Sequence, residues 1–363
     1  MPQEPLAKLA EYKQAIDADI AVYGDYVRKT TGDLYGRHVQ EIETDVFLDV
    51  LGRGGKRIRG SLVMAGYEMC GGTNRPMIIQ TARAIEMLHA YILIVDDIQD
   101  RSVLRRGKSS AHKMIEVYHK KHLLKGDAAH AGISLALNAA LAGAHAAQAI
   151  LANLDAEPQL RLNVLSITNR TMGITAHGQT LDIVNELVGQ PSEEDIERVL
   201  EWKTALYTVI NPLHVGMVLA GADCRVTDAI TPYGHHAGKA FQITDDILGI
   251  FGEEKDLGKT PGDDIREGKG TILVLYALKN APAADKAFLK KSLGNPQLTA
   301  EEFETCKQII EKTGALAYAQ ERVAKHLSDA LASLDNDNAK DLWSKEGADF
   351  LKGIARALQN RVA

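Results

Sequence analysis

The stretch Glu86–Arg106, EMLHAYILIVDDIQDRSVLRR, restricts the fold more than any other part of the chain. Tyr91 to Val95 are continuously apolar, and the run ends in Asp96, Asp97 and Asp100. A helix apolar on most sides is a buried helix. On such a helix i and i+4 share a face, with i+1 beside them, so the three aspartates converge on one point. Carboxylates on a buried helix are costly unless they are paired or metal-bound. A hard, oxygen-seeking divalent cation suits them, and Arg101, Arg105 and Arg106 just beyond suit a polyanion. A solvated charged helix end is the plainer reading, and the apolar run argues against it. The expectation is a metal–diphosphate site at the mouth of an apolar channel.

The rest of the chain reads as helix. Residues 1–50 carry apolar residues at helical spacing with charges between them, and strand-like runs with hairpin turns are hard to find. Residues 280–363 continue in helical patterns with short loops, so a single domain is expected over 1–363. Gly132–Leu154 is long enough to span a membrane, but it is mostly alanine with Asn138, His145, Gln148 and Asn153 inside it. It reads as a buried helix, or two, packed through small residues, and not as an integral membrane segment. A net charge of −6 and a pI of about 6.1 leave no basic footprint for nucleic acid. Cys70, Cys224 and Cys306 are odd in number and lack metal spacing, which points to free thiols and a cytoplasmic location. The first residues have early acids and no apolar core, unlike a signal peptide.

Other polar clusters fall around this frame. Gly54 and Gly55 precede Lys56, Arg57 and Arg59, a flexible turn feeding a helix start that favours anions. It is not a P-loop, because GxxxxGK[ST] is absent. His89 lies seven residues before Asp96 on the same face, suited either to the core or to a diphosphate. His112, His119, His122 and His130 match no zinc pattern and read as surface histidines. Lys203, among apolar neighbours, wants an anionic partner. Asp245 and Asp246 end a second mostly apolar helix, repeating the setting of the first cluster.

Taken together, GGKRIRG, DDIQD followed by RRGK, GQTLD, KT, FQITDD and GKTPGDDIREGKGT resemble the trans-isoprenyl diphosphate synthases in order and approximate spacing. The likeness runs from about residue 50 to residue 275, with helical character on both sides. It is strongest to the short-chain subgroup that makes geranylgeranyl or farnesyl diphosphate.

That resemblance implies an all-α, single-domain helical fold of the class I isoprenoid synthase type, with its active site in a central cavity. It implies a prenyltransferase that condenses isopentenyl diphosphate with an allylic diphosphate, commonly as a homodimer. Mg2+ is the implied cofactor, three ions in all, with Mn2+ as a substitute. Asp96, Asp97 and Asp100 would be the first metal cluster, and Asp245 and Asp246 the second. Arg105, Lys203, Gln242 and Lys259 would hold the allylic diphosphate. Lys56, Arg59, His89 and Arg106 would hold isopentenyl diphosphate. Thr204 and Gln242 would shape the reacting centre, with Lys269 near the diphosphates.

The chain departs from the family pattern in places. The second motif reads DDILG, so Gly249 stands where a third acid is usual, and Asp263 or Asp264 is the candidate replacement. Val95 stands where histidine is common, and Ser109 where proline is usual. Five residues before Asp96, about 7.5 Å down the helix, is Tyr91, the expected floor of the product pocket, with Ile92 and Leu88 sharing the lining. An aromatic there goes with a twenty-carbon product in one subgroup, so geranylgeranyl diphosphate is expected first and farnesyl diphosphate second. A class I terpene cyclase would need an NSE-type second metal motif, which is absent. A non-catalytic regulatory subunit would tend to lose aspartates or the arginine pair, which stand. A generic helical interaction protein leaves both carboxylate clusters unexplained.

Overall fold

The computed structural model describes residues 3–189, 191–252, 262–335 and 341–359. Its architecture is all-α, with one two-residue hairpin as the sheet among the described residues. The chain sorts into two compact units. One is Leu6–Leu165 with Val215–Gly221; the other is Ser166–His214 with the described residues up to Pro5 and from Ala222 on.

In the first unit α1 (Gln3–Tyr35) leads, through a short helical and π turn at 37–44, to α2 (Asp45–Gly52). Next come α3 (Ile58–Met69) and α4 (Arg75–Gln99). The start of α4 is set by Asn74, whose side chain accepts from Met77 N at 3.2 Å, and by Pro76 in the first turn. Strands β1 (Leu104–Arg105) and β2 (Lys108–Ser109) pair antiparallel. Helices α5 (Ala111–Lys121) and α6 (Ala128–Ala152) follow, and α7 (Pro158–Val188) begins here. Helix α4 packs on α3 and α6, so Leu62, Met64, Ile78, Met87 and Ile94 are fully buried. Each such side chain contributes about 1.5–3 kcal/mol by leaving water.

Helix α6 is one continuous helix, not two. Both α4 and α6 are long and apolar enough to cross a membrane by length and composition. In the fold they pack against each other, and 61% of the most apolar window of α4 is buried. The histidines of α5 correct the sequence reading. His112 and His119 are buried, because α5 turns that face onto α6. His119 Nε2 lies 3.1 Å from Lys125 O.

In the second unit α8 (Glu193–Val199) starts at a capping box between Ser192 and Asp195. It runs into a π-helical segment, Leu200–Ile210, and then α9 (Asn211–Leu219). Helix α10 (Cys224–Phe251) packs on the π segment and on α15 (Ala315–Leu334). Between them lie α11 (Asp263–Glu267), α12 (Ile272–Asn280), α13 (Ala283–Ser292) and α14 (Ala300–Lys312); α16 (Lys345–Gln359) follows. Buried Tyr233 of α10 donates to Leu351 O at 2.8 Å, tying α10 to α16.

Candidate active site

In the first unit the aspartates sit at the C-terminal end of α4, with Asp100 as its cap. Asp97 is buried, whereas Asp96 and Asp100 are half-buried. The hairpin brings Arg105 onto them. Its Nε donates to Asp97 Oδ1 at 2.8 Å, and its Nη2 donates to Asp96 Oδ2 at 3.2 Å and to Asp97 as well. Burial acts against the Arg105 charge, but Asp97, Asp96 and Asp100 outweigh it and raise its pKa. Arg105 is thus a fixed cation beside the acids.

The glycine turn works as a hook. Gly54 and Gly55 have φ of 80° and 113°, and Arg57 has φ of 50°. These left-handed values turn the chain into α3. In the sequence Arg57 stands with the anion-facing charges, and the structure corrects this. Arg57 is buried and donates to Asp17 at 2.8 Å, Leu51 O at 2.8 Å and Glu86 at 3.4 Å. Lys56 is exposed, and Arg59 is buried with its Nη1 at 3.3 Å from His89 Nε2. Burial first, and then the charges of Arg59, Arg106, Arg105 and Arg57, hold the His89 pKa well below its usual value. His89 is therefore a neutral imidazole, offering a ring N–H rather than a charge. Burial and the neighbouring Arg57 also lower the pKa of Arg106. A polyanion would relieve this crowding of cations. Leu88 is buried, while Tyr91 and Ile92 are half-buried.

In the second unit the candidate residues gather around α10. Thr204 Oγ1 donates to Gln242 Oε1 at 2.7 Å, and Gln242 Nε2 donates to Asp246 Oδ1 at 2.7 Å. The amide of Gln242 is therefore held at both ends. Lys203, next to Thr204 on the π segment, pairs with Asp182 at 2.5 Å. This is the anionic partner that the sequence calls for. Gly178 makes the approach possible, because a Cβ there would run into the backbone of Trp202 and Lys203. Asp182 lies one turn further along α7 and so reaches Lys203.

Asp246 is buried, and its pKa is pushed up to about 8. Burial is the chief cause; Asp264 and Asp245 add to it, against Gln242 and Lys269. Lys269 Nζ lies 3.0 Å from Glu267 Oε2 and 3.9 Å from Asp264 Oδ1. Lys259 lies outside the described residues. Of the two acids offered as replacements at Gly249, Asp264 is the one present there, its Oδ2 within clashing distance of where a Cβ on the glycine would stand. Asp263 pairs with Arg266 at 3.1 Å.

Among the described residues no three His, Cys, Asp or Glu side chains form a ready metal cage. Mg2+ does not need one, since it takes one or two carboxylates and fills its octahedron with water and phosphate oxygens. The residues fit that ion. All are hard oxygen donors, and the carboxylate crowding that adds to burial in raising the Asp246 pKa is what a divalent cation would relieve.

Residues 40–312 match the sequence profile of the polyprenyl synthetase family. The chain belongs to this family. It is 35% identical over 303 residues to the geranylgeranyl diphosphate synthase of Saccharolobus solfataricus, covering 84% of this chain and 85% of that one. The geranylgeranyl diphosphate synthase of Sulfolobus acidocaldarius is 32% identical, over 79% of this chain and 82% of its own. Among solved structures, geranylgeranyl pyrophosphate synthase from Corynebacterium glutamicum, complexed with isoprenyl diphosphate and magnesium, superposes with a TM-score of 0.91 at 29% identity. That match covers 97% of this chain and 99% of the other. The fold is the all-α fold of the polyprenyl synthetases.

Proposed function

We propose that this chain is a prenyltransferase that condenses isopentenyl diphosphate with an allylic diphosphate to give a short-chain trans-prenyl diphosphate. The twenty-carbon geranylgeranyl diphosphate is the favoured product. One observation carries the reading: each unit holds a group of aspartates with a cation already bound or beside it, Arg105 in one and Lys269 in the other. Such pairs suit a metal-bound polyanion rather than a solvated surface.

The hard step is breaking the allylic C–O bond, which separates charge. Mg2+, when bound, neutralises the departing diphosphate as a Lewis acid. Asp96, Asp97 and Asp100, and separately Asp245, Asp246 and Asp264, would hold those ions, three in all. Arg105 and Lys203 would bind the allylic diphosphate oxygens. Held by Asp182, Lys203 is oriented before substrate arrives. Arg59, Arg106, Lys56 and the neutral His89 would bind isopentenyl diphosphate, His89 by donating its N–H. Thr204 and the Gln242 amide would present fixed dipoles to the allylic cation. The alkene attacks that cation, and the released diphosphate takes the proton, so no separate base is required.

A homodimer is part of the proposal. Ile133, Leu137 and Leu141 recur every four residues along α6 and are 37–49% exposed. A second copy laid on that stripe would cover it, and sedimentation measurements check this.

The deciding assay gives the protein Mg2+, isopentenyl diphosphate and, in turn, the five-, ten- and fifteen-carbon allylic diphosphates. The expected product is the twenty-carbon diphosphate. No elongation with any primer would remove the reading, and cyclised hydrocarbon made without isopentenyl diphosphate would mean a terpene cyclase.

A further inference from the structure

We infer that Arg53, at the C-terminal cap of α2, is a positioning residue for the arginine pair Arg105 and Arg106. The inference rests on the reading above, in which those two arginines bind the substrate diphosphates. The side chain of Arg53 is only 2% exposed, so its charge and its nitrogens have to be met inside the fold. Each nitrogen is. Nε donates to Asp49 Oδ2 at 2.7 Å, one turn back on α2. Nη1 donates to Arg105 O at 3.0 Å, and Nη2 to Ser109 O at 2.7 Å, with Met114 Sδ of α5 at 2.8 Å.

The two carbonyls lie on opposite strands of the hairpin. Arg105 is the last residue of β1, and Ser109 is the last of β2. The hairpin consists of two residue pairs, Leu104 with Ser109 and Arg105 with Lys108. So short a ladder is marginal by itself. Its turn is Arg106–Gly107, with φ of 54° and 73°, left-handed at both central positions. Arg106 carries a Cβ, so it holds that conformation at a cost, which the surroundings have to offset. The Arg53 guanidinium offsets it by gripping both strands at once.

The grip is returned. Arg106 Nη1 donates to Gly54 O, and its guanidinium lies over Gly55, where a Cβ would meet it at 3.0 Å. The side chain of Arg53 holds the hairpin backbone, and the side chain of Arg106 holds the backbone beside Arg53. Lys108 Nζ, 3.8 Å from Asp49 Oδ1, closes the ring. The glycine turn and the hairpin are therefore one piece. Within it successive residues face different ways, Arg105 toward the aspartates and Arg106 toward the glycine turn.

A planar fork is needed for this. Lysine has one nitrogen and cannot span Asp49 and both strands together. The test measures steady-state kinetics for both diphosphates, isopentenyl diphosphate affinity by calorimetry, and hydrogen exchange of the 104–110 amides, in R53K and R53A. The expected result is a KM raised about tenfold for both substrates with kcat within about threefold, which is loss of binding shared by ground and transition states. Faster exchange confined to the hairpin accompanies it, over and above any fall in melting temperature. If R53A does not fold, R53K carries the test. Wild-type KM values and hairpin protection in a folded R53K would overturn the inference. If wild type binds isopentenyl diphosphate but elongates no primer, the synthase reading fails. The role of Arg53 then stands or falls on affinity and exchange in the variants.

Discussion

Asp264 Oδ2 occupies the space that a side chain at Gly249 would need. On the proposed function, the third carboxylate of the second aspartate motif would come from α11, through space, rather than from α10 itself. Gly249 and Asp264 would then form one position divided between two segments.

The exchange can be tested in both directions. D264A should reduce condensation by about 10–100-fold and raise the Mg2+ concentration needed for half-maximal rate, as for removal of one charge-stabilising group. G249D as a single substitution should lose activity too, because its Cβ meets the Asp264 carboxylate. The double variant G249D/D264G should recover a substantial part of the wild-type rate. Mg2+ titrations of initial rate on the four proteins decide it, and a double variant no better than D264A would refute the shared position.

A second prediction concerns Gly178. A methyl group there would strike backbone atoms of Trp202 and Lys203, which cannot swing aside as a side-chain tip can. Helix α7 and the π segment would have to separate. G178A should cost about 1–3 kcal/mol of stability, the usual range for overpacking. It should also loosen the Asp182–Lys203 pair, so kcat falls more than in the isosteric D182N. Chemical denaturation and steady-state kinetics on both variants check the order.

Much of the fold and the site is legible in the sequence, and what is not has identifiable physical reasons. The aspartate helices declare themselves because a buried apolar run that ends in carboxylates is costly unless a cation meets them. The glycine turn is legible as a helix entry, but not in how it shares out its charges. Arg57 looks like Lys56 and Arg59 in the string, and only the path of α1 and α4 puts Asp17 and Glu86 against it. The role of Arg53 carries no signal beyond its i,i+4 pairing with Asp49, since its other oxygen partners are backbone carbonyls more than 50 residues away. His112 and His119 do carry one. They stand at i and i+7 with buried Ile115 between, the spacing of an inward helical face, and a search for zinc motifs passes over it. Asp264 can be named but not chosen over Asp263, because adjacent residues differ only in direction.

The Tyr91 floor is tested by product size. Tyr91 is half-buried on α4, above the buried Leu88. If the growing prenyl chain runs along this helix, Y91A removes a ring and extends the pocket by roughly one five-carbon unit, on the scale of a helical turn. Its main product should be longer than that of the wild type, at a similar total rate of isopentenyl diphosphate use. Chromatography of the dephosphorylated products reads this directly, and an unchanged length would sink the assignment.

The last prediction is a pH dependence set away from the aspartates. His236 on α10 and His326 on α15 meet through their Nδ1 atoms at 3.1 Å. Burial first, and then the His236 ring, Arg322 and Lys239, push the His326 pKa down to about 4, with Glu197 acting the other way. On the α10 side, His236 also feels Asp329, His235 and Glu201. Because the folded-state pKa lies below the unfolded value near 6.5, the unfolded chain binds the proton first as pH falls. The stability linked to a neutral His326 is complete above pH 6.5 and is lost progressively down to about 4. Allowing for screening by water at this half-buried site, the loss is on the order of 1 kcal/mol. H326N cannot take up that proton in either state. Its stability should therefore fall less steeply than that of the wild type between pH 6.5 and 4.5, while the carboxylates common to both proteins cancel in the comparison. Thermal melts of the two proteins across that interval measure the difference, and parallel curves would show that His326 titrates alike in the folded and unfolded chains.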